Sequence, residues 1–148
     1  MAAAGLGTRS PGEDAGTEGE VLEAVQLALD LGNDINAVDD KGETAMHGAA
    51  YKNLPGVVAL LTASGADIDV WARKNDFGWS PLTIARGFRF GNFKPSPVTV
   101  VAVEQAMLAA GITPPTEAEE AAEGYDIYTP RQSTAVPTVT APAQASPR

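Results

Sequence analysis

Cysteine is absent from this 148-residue chain, which excludes disulfides, thiolate nucleophiles and thiolate metal sites and leaves the redox compartment open. Histidine is almost absent too, with His47 standing alone. A zinc centre needs about three or four His, Cys or carboxylate ligands, so none is expected. A Ser-His-Asp triad would have only this one imidazole to use. No apolar run approaches the ~18 residues of a membrane-spanning helix, and MAAAGLGTRSPGED lacks the basic start and apolar centre of a secretory signal. The expectation is a soluble, cytoplasmic chain, or a periplasmic or secreted one if a signal lies upstream. Basic residues are outnumbered, giving a net charge of -9 that opposes general polyanion binding. No glycine-rich phosphate loop or dinucleotide fingerprint is present, so no cofactor is expected.

What is present is enough apolar content, 44%, for one modest core, and a period. Sliding the chain by 33 lays Val25, Leu27, Gly32, Asp34 and Ile35 on Val58, Leu60, Gly65, Asp67 and Ile68. A third copy is looser. Gly42-Glu43-Thr44-Ala45-Met46 recurs as Gly78-Trp79-Ser80-Pro81-Leu82 after 36 residues, and Gly65 recurs as Gly111 after 46, which implies insertions of three and ten residues. Within a copy, Gly42 and Gly78 suit a turn that a side chain would oppose. Thr44 and Ser80 are placed to cap a helix, and Pro81 and Pro55 suit a first helical position. Gly65 suits a helix end, and Ala49 and Ala50 are small enough for two helices to approach closely.

The stretch DDKGETAMHGAAYKNLPGVVALLTASGADID, residues 39–69, resembles a nearly complete ankyrin repeat. The resemblance extends over roughly residues 5–111. It implies an all-α solenoid of about two and a half to three helix-turn-helix repeats with hairpin-like loops. It also implies a structural role for His47, which stands where the consensus Thr-Pro-Leu-His has its histidine. No repeat of this kind buries its apolar face alone, so stacking is obligatory. The expected divisions are a partial first repeat with a Gly-rich insertion (1–37, with a helix over 21–31), a second repeat (38–70) and an enlarged third (71–112). A capping segment (113–130) and a disordered tail rich in Pro, Ala, Ser and Thr (131–148) follow. Ala3 and Ala4 match the middle of a first helix, which leads to the expectation of a C-terminal portion of a longer ankyrin protein. The long inserts also resemble those of ankyrin proteins of environmental bacteria.

In the cap, Thr116 with Glu119 fits a capping box and Gly124 an exit, with Glu117, Glu119, Glu120 and Glu123 forming a solvated face. Asp39, Asp40, Asp67 and Asp69 sit at loop positions where Asp satisfies backbone donors. They are turn residues first and acids second. The chain therefore reads as a non-enzyme.

One motif invites another function. RGFRFGNF, residues 86–93, meets five of the seven defined positions of the RNA-recognition octamer. It fails at Arg89 and Gly91, follows a helix where that octamer needs a strand, and has no companion motif. Two readings of the segment remain. In one, Phe88, Phe90 and Phe93 pack over the enlarged third repeat. In the other, the segment is a contact surface, since six of nine aromatics and five of ten basic residues lie between 71 and 94, opposed only by Asp76. Aromatic and Arg residues are the usual anchors of interfaces, and a local +4 would attract an acidic partner. The resemblance places hairpin loops and inner helices on the concave binding side. The candidate contact residues are then Trp71, Arg73, Lys74, Phe77, Trp79, Arg89, Phe90 and Lys94. The expected partner is another protein, bound by a monomer. A structural or regulatory role within a longer chain is the alternative, and single-stranded nucleic acid ranks behind it.

Overall fold

A computed structural model describes residues 1–6, 16–88 and 95–122. Every regular element among them is helical: a 3₁₀ turn at Ala2–Ala4, then α1 (Glu18–Asp30), α2 (Ala45–Lys52), α3 (Pro55–Ala63), α4 (Ile68–Trp71), α5 (Pro81–Ala85), α6 (Pro97–Ala109) and α7 (Glu117–Ala122). None is long and apolar enough to cross a membrane.

The helices form two tiers. In the inner tier α2 packs between the 3₁₀ turn and α5; in the outer tier α3 packs between α1 and α6. Each inner element also packs on the outer helix that follows it, so the stack consists of helix pairs laid side by side. The main core runs through all of them, with Val25, Met46, Val58, Leu61, Leu82 and Val103 at most 4% exposed. A smaller cluster at the inner edge joins Ala50, Trp79, Ile84 and Ala85, with Tyr51 and Phe88 packed against it.

Local chemistry sets the boundaries. Gly42 and Gly78 hold φ of 76° and 83°, the left-handed region where a side chain is strained. Ser80-Pro81-Leu82-Thr83 opens α5 and the same residue pattern, Ser96-Pro97-Val98-Thr99, opens α6, although only Ser80 accepts a backbone N–H. Proline takes the first helical turn, and the serine hydroxyl lies 2.9 Å from the threonine hydroxyl in each. Ser96 N–H donates to the Ala85 carbonyl at 2.8 Å, so the two ends of the long insertion are pinned together.

Two boundaries differ from expectation. The first outer helix starts at Glu18, not at 21, because Thr17 Oγ1 accepts from Glu20 N–H while the Glu20 carboxylate accepts from Thr17 N–H at 2.6 Å. That is a capping box, and the backbone bond followed by the hydroxyl bond holds the Glu20 carboxyl below its usual range. The loop after the second pair also contains a helical turn, α4, capped by Asp67, whose side chain accepts from Asp69 N–H at 2.9 Å.

Gly48 gives a backbone-against-backbone test of this packing. A Cβ there would sit 2.7 Å from the Ala4 carbonyl oxygen and 3.0 Å from Leu6 N, both backbone atoms. Alanine normally stabilises a helix interior by about 1 kcal/mol over glycine, but forced overpacking costs about 1–3 kcal/mol. Gly48→Ala is therefore predicted to destabilise the protein in urea titration, although it raises helix propensity.

Candidate protein-binding surface

The loops between the helix pairs end in two matching fingers, at residues 39–43 and 75–79. In the first, Asp39 Oδ1 accepts from Lys41 and Glu43 N–H at 2.9 and 2.8 Å. In the second, Asn75 Oδ1 accepts from Phe77 and Trp79 N–H at 3.1 and 3.0 Å. A backbone bond closes each finger, Asp39 N–H to Glu43 and Asn75 N–H to Trp79, both 2.9 Å. The fingers are then joined to each other. Asp76 N–H donates to the Lys41 carbonyl at 2.9 Å, and the Asn75 amide donates to Glu43 Oε1 at 2.8 Å. Burial pushes the Glu43 carboxyl up, against the lowering effect of Asn75 and Tyr51.

This scaffold sorts the sequence-level contact residues. Trp71 and Trp79 are each 3% exposed, Trp71 in the main core and Trp79 in the inner-edge cluster, so neither presents a face to a partner. The correction has a simple cause, because large aromatics in a small array are needed inside it. Phe77 is 40% exposed at the tip of the second finger, its ring 5.3 Å from that of Trp79. Arg73 and Lys74 are exposed at the finger's base. Arg89, Phe90 and Lys94 lie outside the described residues, as do Phe93, Glu123 and Gly124. Phe88 packs partly buried beside Trp79.

The structural residues fall into place around the fingers. Ser80 Oγ accepts from Thr83 N–H at 3.2 Å. Pro81 is buried at the start of α5, and Gly65, with φ 87°, ends the second outer helix. His47 is fully buried. Its Nδ1 accepts from Thr44 N–H at 3.2 Å and lies 3.0 Å from Thr44 Oγ1, so the imidazole fills the place that Glu holds in an ordinary capping box. An accepting Nδ1 puts the proton on Nε2. Nε2 faces the carbonyls of Arg73 and Trp79 but meets neither in good hydrogen-bond geometry. Burial brings its pKa down to about 4, the two carbonyls opposing this. Through Nδ1 this neutral imidazole caps the start of α2.

Sequence reasoning missed Glu120. It is 5% exposed, not part of a solvated face: Oε1 accepts from Thr83 Oγ1 at 3.0 Å and Oε2 from Arg86 at 2.6 Å. Arg86 also reaches Glu104 at 2.9 Å. Burial alone would lower the guanidinium pKa, but the bonds and charges of Glu120 and Glu104 raise it overall. Glu120 therefore fastens α7 across the end of the stack. Thr116 and Glu119 form the expected capping box of α7, Thr116 N–H donating to the carboxylate at 2.7 Å.

A family model described as ankyrin repeats (3 copies) matches residues 15–92. The chain belongs to the ankyrin-repeat family. Among similar curated proteins, an ankyrin repeat protein of fowlpox virus is 46% identical over 48 residues, covering 32% of this chain and 11% of that protein. The NF-kappa-B inhibitor delta of Mus musculus is 36% identical over 91 residues, covering 61% of this chain and 23% of the relative. Ankyrin repeat protein 14 of vaccinia virus is 35% identical over 65 residues, covering 44% and 26%. This ankyrin chain thus spans about a quarter or less of each relative's length. The three relatives are viral and murine, so they lend no support to the bacterial likeness of the inserts.

Two outcomes follow from the site. Between pH 6.5 and 4 the unfolded chain protonates His47 while the folded chain does not, so stability present above pH 6.5 is lost as pH falls, by about 3 kcal/mol. His47→Gln keeps an acceptor for Thr44 N–H and removes the titration; urea titrations of both proteins across that window should show a steeper loss for the histidine form. Glu120→Ala should cost about 1.5–3 kcal/mol, the range for hydrogen bonds to charged groups, seen as a lower urea midpoint.

Proposed function

We propose that this ankyrin-repeat chain is a protein-binding module whose contact surface is the exposed side of the second finger and its base. Ankyrin repeats in general mediate protein–protein interaction, and a murine relative is named as an inhibitor of another protein. The observation that carries the reading is Phe77. Its backbone N–H is bonded to Asn75, its ring packs beside buried Trp79, and 40% of it remains exposed. An aromatic held rigid before binding gives up little entropy on contact, which is what an interface anchor requires. Arg73 and Lys74 beside it suit an acidic partner, in a chain whose overall charge of -9 would repel one elsewhere. Arg89, Phe90 and Lys94 extend the candidate surface in sequence. Binding, with no bond-making chemistry, is the activity proposed.

A second reading is favoured by Leu27. It lines a shallow groove with Leu22 and Leu60, yet stands 59% exposed, with Leu31 beyond it 74% exposed. A further apolar element covering that flank would make this a structural or regulatory portion of a longer protein. The mass of the native protein tests it.

For the main reading, Arg73→Glu combined with Phe77→Ala should weaken capture of the native partner at least about tenfold, the equivalent of one good contact at 1.4 kcal/mol, with little change in Tm. Unchanged capture would remove the reading. Association should also slow as salt rises.

A further inference from the structure

Six residues make up α7, and one of them attaches it. Glu117, Ala118, Glu119 and Ala122 are exposed, whereas Glu120 is 5% exposed and, among the described side chains of the helix, is the one that enters the protein. A helix this short does not persist on propensity. Behind it, a cavity of about 130 Å³ bordered by Leu82, Met107, Pro115 and Glu120 leaves the cap without close packing on that side. The hold on α7 is therefore chiefly polar.

The recess that receives Glu120 is built by the rest of the stack. Thr83, fully buried on α5, donates its hydroxyl to Oε1 at 3.0 Å, and Arg86 meets Oε2 through Nη1 at 2.6 Å. The Arg86 side chain is itself only 6% exposed, and its Nη2 donates to Glu104 of α6 at 2.9 Å. Arg86 thus keeps a carboxylate partner when α7 is absent. The guanidinium is still one bond short, because Nε is buried and meets no acceptor. A carboxylate on an arginine frequently spans two of its nitrogens, but Glu120, tethered by α7 and shared with Thr83, reaches one. A buried donor without an acceptor is costly, and a carboxylate free to choose its pose can meet it.

We propose that the Thr83–Arg86 recess is a binding site for a glutamate side chain of an acidic partner segment, occupied in the isolated chain by Glu120, so that such a segment binds by displacing α7. The helix α7 presents in cis the chemistry that the partner presents in trans. This site stands apart from the Phe77 finger and does not rest on it.

The full chain, labelled with ¹⁵N, tests this by NMR titration with two blocked peptides. One is acetyl-Thr-Glu-Ala-Glu-Glu-Ala-Ala-amide, the sequence of residues 116–122; the other has glutamine in place of the glutamate that corresponds to Glu120. In the Glu120→Ala chain the first peptide should saturably shift the Arg86 Nε–H and the Thr83 amide. It should bind at least about tenfold tighter than the second, the difference made by one charge-assisted contact. In the unsubstituted chain it competes with the tethered α7, so its affinity should be at least about tenfold lower, and saturation should move the amides of residues 117–122 together with that of Thr83. Glu120→Gln, which keeps an acceptor for Thr83 and removes the charge, gives the same comparison if Glu120→Ala fails to fold. Equal binding of the two peptides, equal affinity of the substituted and unsubstituted chains, or no shift at Arg86 would overturn the proposal. Arg73→Glu with Phe77→Ala should leave this titration unchanged, so the recess and the finger surface stand or fail separately.

Discussion

Burial of each helix pair against its neighbour is the constraint on which everything else in this protein depends. A lone pair of short helices, eight residues in α2 and nine in α3, is too short to persist in water on propensity alone. Its apolar residues gain their burial only when another pair lies alongside. The small residues at the inner edge make that approach possible, and at Gly48 the backbones come so close that a methyl group has no room.

The fingers depend on the same stacking. Their inner groups, Asn75 and Glu43, are buried and polar, and such groups are tolerated only with partners. The partners come from the next unit: Asn75 reaches back 32 residues to Glu43, and Asp76 N–H reaches the Lys41 carbonyl. A finger held in this way is rigid at its base. That rigidity lets Phe77 be displayed at the tip without collapsing inward. The binding proposal follows from the position of a finger that, among the described residues, is joined to a neighbouring finger at its base.

Much of this was legible in the sequence where the physics is local. The period, the left-handed glycines, the Ser80-Pro81 helix start and the Thr116–Glu119 box are all set within a few residues, and each lies where the pattern put it. The same logic would have found Thr17–Glu20, the same Thr-x-x-Glu pattern. What was not legible depends on distant partners. Glu120 reads as a solvated acid until Thr83 and Arg86, 37 and 34 residues away, are brought to it. Trp71 and Trp79 cluster in sequence with basic residues and so resemble a surface, but their rings turn inward while Arg73 and Lys74 turn out. Composition cannot separate the two faces of one segment.

The claim that the stack is a single interdependent unit is tested most directly by equilibrium unfolding in urea, followed at once by tryptophan fluorescence and by helical circular dichroism. Trp71 and Trp79 report the packing around α4 and the second finger, whereas the dichroism reports every helix. Coincident transitions are predicted, since no pair holds its structure without its neighbours. Loss of the tryptophan signal at lower urea, with the helices still formed, would contradict the account.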